Sequence, residues 1–120
     1  MNWPAVIAGT LAAIALGMVW FSPMLFGKAW ATGSHAIQPP AAPPVAAMVT
    51  QFAGTAMLAL AVGLTETTGA ILVAVAAILA VALWVAGMDL FSQKSGRATL
   101  IDAGYVVASG ALMILAQGLL

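Results

Sequence analysis

Charged side chains are so rare in this chain, and so unevenly placed, that they leave long stretches with no charge at all. Three lysines or arginines and three aspartates or glutamates occur in 120 residues. The uncharged stretches are 1–27, 29–65, 67–88 and 103–120. Soluble domains carry about 25% charged residues, whereas this chain carries 5% and has a mean hydropathy of +1.14. We therefore exclude an ordinary soluble enzyme or binding module and expect a lipid bilayer as the surroundings.

The uncharged stretches are long enough to cross a membrane as helices. A transmembrane helix needs about 20 mostly apolar residues, and lipid forces each segment to satisfy its own backbone hydrogen bonds. Runs such as 70–79 do not alternate between polar and apolar residues, which excludes a transmembrane barrel. The sequence predicts an all-α membrane protein, one domain with four antiparallel helices at about 3–21, 45–64, 70–90 and 98–119.

The connections between the spans differ in length and in charge. The loop 22–43 is too long for a turn, and its apolar residues around Lys28 predict a short helical segment in the membrane interface. Lys28, Lys94 and Arg97 all fall in connections on one side of the bundle. Because cytoplasmic loops are rich in lysine and arginine, we predict that both termini lie outside.

Small residues recur along the first span at the spacing of a helix contact. Ala5, Gly9, Ala13 and Gly17 follow one another every four residues, a pattern that lets two membrane helices approach closely. The contact can lie within one chain or between chains. Four short helices enclose little interior, so we expect a homo-oligomer.

Polar residues near the ends of the spans form the candidate site. Asp102 lies about one turn inside the fourth span, where a charge is costly, and shares a helical stripe with a phenol and a hydroxyl. Two interpretations stay open: an entry site for a cation or proton, or a structural anchor paired with Lys94 or Arg97. The candidate polar pathway or structural cluster comprises Asp102, Tyr105, Ser109, Asp89, Gln51, Thr55, Arg97 and Lys94.

Several classes of chemistry have no support in the sequence. There is no cysteine, and His35 is the only histidine, so neither a metal site nor any cofactor is indicated. The sequence contains no set of a histidine, a serine and an acid that suggests a catalytic triad. We therefore do not expect an enzyme. With a net charge of zero, the chain lacks the basic surface that nucleic-acid binding requires.

Three segments carry a resemblance that spans nearly the whole chain. They are the opening Met1–Trp3, the segment Trp20–Trp30 with its Phe-Ser-Pro-Met sequence, and Leu100–Tyr105. In this order they resemble the domain-of-unknown-function 1761 family of small bacterial membrane proteins. The resemblance implies a bacterial inner-membrane protein with about four helices and carries over no catalytic residue.

Two functions remain as hypotheses. The first is an oligomeric pathway for a small solute or ion, suggested by the polar stripe on span four and the small-residue faces. The alternative is a structural or interaction subunit of the inner membrane, suggested by the scarcity of ionisable groups near the middle of any span.

Overall fold

The computed structural model describes all 120 residues as five α-helices without any strand. Four helices are long and apolar enough to cross a membrane, and α2 is a short helix between the first two of them. The predicted all-helical fold is confirmed, and each predicted span matches its helix within two residues at either end. The helices are α1 Trp3–Trp20, α2 Gly27–Gly33, α3 Val45–Glu66, α4 Ile71–Phe91 and α5 Gly96–Leu119.

Local sequence signals explain where the helices begin and turn. The Asn2 side chain accepts a hydrogen bond from the Ala5 amide at 3.2 Å, and the Ser95 hydroxyl accepts one from Ala98 at 3.0 Å. Both are N-caps that satisfy free amides at a helix start. Between α3 and α4, Gly69 has a φ of +67°, a left-handed conformation that glycine adopts without steric cost.

The bundle has two distinct ends. At the first, which we call the loop end, the Ser95 amide donates to the Gly33 carbonyl at 2.9 Å, and His35 Nε2 donates to the Ser92 carbonyl at 2.7 Å. These bonds join the two long connections. The opposite end, which we call the terminal end, holds both chain termini and the turn between α3 and α4. The two lysine-bearing connections thus lie at the same end of the bundle.

Helix α5 is the centre of the fold, because it packs against each of the other four helices. Its partner α1 presents the small-residue stripe to it. A Cβ placed on Gly9 would lie 3.2 Å from the Cα of Met113, and one on Gly17 would lie 2.8 Å from the Tyr105 hydroxyl. The structure therefore places this stripe within one chain. The core around it is built mainly from alanine, with Ala13 and Ala98 fully buried.

Helix α3 packs against the bundle along its second half only. Thr55, Ala59, Val62 and Gly63 are buried, whereas every residue of 45–54 is exposed. We call residues 45–54 the free half of α3. A helical segment that is exposed on all sides has no neighbour within the chain, so its partners in the membrane are lipid or another protein.

Candidate functional site

One lysine and two aspartates meet at the loop end. Lys94 Nζ lies 3.3 Å from Asp102 Oδ2 and 3.7 Å from Asp89 Oδ1. The same ammonium lies 5.3 Å from the centre of the Trp30 ring, within the range of a cation–π contact. The two carboxylates are largely buried, with side-chain exposures of 12% for Asp89 and 14% for Asp102. We call these four residues the loop-end cluster.

The turn between α4 and α5 places the lysine between the two acids. Asp89 lies in the last turn of α4, and its carbonyl accepts a hydrogen bond from the Lys94 amide at 3.0 Å. Gln93 closes this turn with a φ of +61°, a left-handed conformation that is uncommon outside glycine. Asp102 follows two turns into α5. Trp30 reaches the cluster because α2 packs against the start of α5.

The cluster has unused hydrogen-bonding capacity. Asp89 Oδ2, Trp30 Nε1 and Ser34 Oγ are buried and have no hydrogen-bond partner. Two carboxylates and one ammonium leave a formal charge of −1. Buried polar groups are nearly always paired, so free oxygens beside a net negative charge favour a proton, a water molecule or a small cation at this position.

A line of buried side chains continues from the cluster along α5. Tyr105 donates a hydrogen bond of 2.6 Å from its hydroxyl to the Ala13 carbonyl of α1. Ser109, Met113 and Gln117 follow at intervals of four residues and are buried. We call Asp102, Tyr105, Ser109, Met113 and Gln117 the α5 inner face.

Ser109 differs from the other hydroxyl residues in the spans. Thr10, Thr55 and Thr99 each donate to the carbonyl four residues earlier, at 2.7 to 2.9 Å. Those hydroxyls are satisfied by their own helix. Ser109 Oγ is buried and has no partner, and neither has Gln117 Oε1 further along α5. On the inner face, Ser109 Oγ is thus free to donate or accept a hydrogen bond, and Gln117 Oε1 is free to accept one.

The sequence also predicted residues that the structure keeps apart from the cluster. Of the two expected cationic partners for Asp102, only Lys94 pairs with it; Arg97 is exposed and forms no ion pair. Gln51 is a member of the cluster predicted from the sequence, but it lies exposed on the free half of α3 and apart from Asp102. Thr55 is buried, but its hydroxyl bonds to the Gln51 carbonyl at 2.7 Å.

The chain matches the family described as "Protein of unknown function (DUF1761)" over residues 4–118. The chain belongs to this family. No curated protein and no solved structure matches the chain. The resemblance carried by the three short segments is thereby confirmed, and, because the family has no known function, any role for the chain has to be argued from its geometry.

In this member of the DUF1761 family, sequence reasoning missed three residues of interest. Trp30 and His35 join the loop end through contacts with residues more than 50 positions away. A local sequence pattern does not predict such contacts. Gln117 was detectable, since it follows Met113 by four residues on the predicted stripe. Gln117 is buried on this stripe.

Proposed function

We propose that this protein provides a pathway across the membrane for protons or another small cation, and that it works as an oligomer in the inner membrane of a bacterial cell. We also propose that the loop end faces the cytoplasm, because it carries all lysines and arginines, which cytoplasmic loops favour. The main support is the pair of buried, unpartnered polar atoms on the α5 inner face, Ser109 Oγ and Gln117 Oε1.

Unpartnered polar atoms inside an apolar bundle are energetically unfavourable. Leaving a buried donor or acceptor without a partner costs about 1–3 kcal/mol, and alanine at position 109 would avoid that cost. A passing ion or water chain would use such groups, because it exchanges hydration for successive hydrogen bonds. Polar residues facing a bundle interior commonly mark ion and proton pathways.

The loop-end cluster supports a cation as the species. Its formal charge of −1 attracts positive ions at the mouth of the α5 inner face, and Asp102 begins that face. Asp102 is proposed to accept the proton or to coordinate the cation.

The middle of the bundle is closed in this conformation. Met113 is 1% exposed and packs against the backbone of α1 at Gly9. Passage therefore requires this side chain to move, which an unbranched thioether with three rotatable bonds can do. We propose that Met113 is the gate between Ser109 and Gln117.

Flux through proteoliposomes tests this pathway. With an internal pH-sensitive dye and an imposed potassium diffusion potential, the parent protein should acidify or alkalinise the lumen faster than empty vesicles. Asp102→Asn removes the charge while keeping the shape, and it should lower the rate about tenfold, the equivalent of one charge-assisted hydrogen bond. Met113→Ala should raise the rate.

The matched control for the inner face is a serine pair. Ser109→Ala should slow flux, whereas Ser22→Ala should not, because the half-buried Ser22 already donates its hydroxyl proton to the Val19 carbonyl in a solvent-exposed bond. The same measurement repeated with potassium or sodium gradients identifies the ion. A parent protein that conducts none of these ions, or an Asp102→Asn variant with unchanged flux, would contradict the pathway.

The second candidate function is an interaction subunit without transport, and the free half of α3 favours it. Ala47, Thr50, Gln51 and Gly54 lie on one helical face by their spacing of three and four residues. Small and polar side chains of this kind hold membrane helices together. An exposed glutamine amide inside a span is poorly solvated by lipid, so we propose this face as the contact between copies.

Single-cysteine variants test both the contact and the orientation, since the chain has no cysteine of its own. Ala47→Cys keeps Gln51 and should form disulfide-linked dimers in native membranes, and adding Gln51→Leu should reduce them several-fold. Leu83→Cys is the control, because Leu83 is exposed on α4 outside this face. Glu66→Cys should react with an impermeant thiol reagent from outside intact cells. Equal crosslinking at 47 and 83, or labelling of residue 66 only after lysis, would refute the respective proposal.

A further inference from the structure

The terminal end contains a cavity that the loop-end cluster does not reach. Its volume is about 240 Å³, and α3, α4 and α5 all contribute to its lining. The apolar walls are Val62, Ile71, Ala74 and Ile114. A cavity needs polar partners as well as space to select a ligand, and this one has three polar side chains.

Gln117 is the buried polar group of the cavity. The residue is 8% exposed, and its Oε1 atom has no hydrogen-bond partner. Its Nε2 atom lies toward Gly63 of α3, 3.1 Å from the place that a Cβ of residue 63 would take. Gln117 thus lies against α3 at Gly63, and its acceptor oxygen is free.

The other polar side chains of the cavity are also acceptors. Thr65 donates its hydroxyl proton to the Val62 carbonyl at 2.8 Å, which leaves the oxygen lone pairs free. Glu66 adds a carboxylate at the exposed rim. The lysine, arginine and histidine side chains of the chain all belong to the loop end. Acceptors with a negative rim and no cationic side chain disfavour anions and favour a ligand that is positive and donates hydrogen bonds.

We propose that this cavity binds a small alkylammonium ion. The ammonium donates to Gln117 Oε1 and is attracted by Glu66, while the alkyl group lies against Val62, Ile71 and Ile114. A volume of about 240 Å³ is far above the roughly 10–15 Å³ that a single water molecule requires, so the cavity has room for a short alkyl chain with its ammonium group. Occupancy of this site does not depend on passage through the bundle.

Isothermal titration of the purified protein in detergent with n-butylammonium chloride tests the site. Binding should saturate at one ion per chain above the signal of a protein-free detergent blank. Gln117→Leu should weaken binding about tenfold, because it removes the acceptor for a charged donor. Glu66→Gln should weaken it by about threefold, the smaller effect of a solvent-exposed charge.

The controls separate the site from general partitioning and from the proposed pathway. Gln38→Leu makes the same substitution as Gln117→Leu at an exposed loop residue and should leave affinity unchanged, and n-butanol and butyrate should bind more weakly than butylammonium. If the Gln117→Leu variant does not fold, the butylammonium affinity of the Glu66→Gln variant tests the site, because Glu66 is exposed. Non-saturating heats, equal affinity for butanol, or an unchanged affinity in Glu66→Gln would overturn the site. Flux plays no part in this readout, so failure of the pathway leaves the site standing.

Discussion

Replacing Lys94 with methionine should destabilise the protein by about 3–5 kcal/mol, the largest effect we expect from a single side chain. The lysine is the only cation that contacts Asp89 and Asp102, at 3.7 and 3.3 Å. Methionine keeps most of the side-chain volume but leaves two largely buried carboxylates facing each other. Removing one partner of a buried ion pair is costly because the remaining charge is neither hydrated nor compensated. Thermal or denaturant-induced unfolding in detergent, followed by circular dichroism, measures the loss.

Arg97→Met is the matched control for that experiment. Arg97 also belongs to the loop end, but it is exposed and pairs with no acid, so its replacement should change stability by less than about 0.5 kcal/mol. Adding Asp89→Asn to Lys94→Met should restore part of the loss, since it removes one of the two uncompensated charges. Equal stability of the Lys94→Met and Arg97→Met variants would show that the cluster is not a structural element of the fold.

Replacing Gly110 with leucine should separate α4 from α5 and cost about 3 kcal/mol, at the upper end of the range for overpacked cores. A Cβ at this position would lie 2.5 to 2.6 Å from three side-chain carbons of Ile78. Ile78 is 4% exposed and β-branched, so it is held by its neighbours and by its restricted χ1 angle. Neither helix can accommodate the added side chain without moving.

Gly87→Leu on α4 is the matched control, because a Cβ there meets no atom within 4 Å. It should be neutral or slightly stabilising, since leucine favours the helix more than glycine does. The double variant Gly110→Leu with Ile78→Ala should be more stable than Gly110→Leu alone, because alanine vacates the space that the leucine needs. An equal free energy of unfolding for the Gly110→Leu and Gly87→Leu variants would contradict the packing of α4 on α5 described above.

The helices and their relative directions were predictable from short-range sequence features. The number of uncharged stretches of about 20 residues gives the number of spans. Successive spans cross the membrane in opposite directions. The placement of Lys28 and Lys94 at one end follows from that alternation without any knowledge of packing. The ends of the predicted spans lie within two residues of the helix ends in the structure.

The candidate site was predictable in part. Asp102, Tyr105 and Ser109 share a stripe of α5 because helical periodicity requires it, and Lys94 is near them in sequence. The contribution of Trp30 depends on α2 packing against α5, and its contact with Lys94 joins residues 64 positions apart. Gln51 was expected at the same depth as Asp102. Equal depth does not imply contact, however, and α3 diverges from the bundle at that level.

By itself the sequence determined the surroundings of this protein, its four spans and the end at which its cations gather, because hydropathy and charge act locally along the chain. The tertiary structure alone decided which face of each helix points inward. In a soluble protein the polar face of a helix points to the solvent. Here the core and the lipid are both apolar, so α1 and α4 have no polar face that distinguishes their inward side from their outward side. Close fits such as Gly9 against Met113 and Gly110 against Ile78 make that choice instead, since packing of complementary shapes is what holds helices together in lipid.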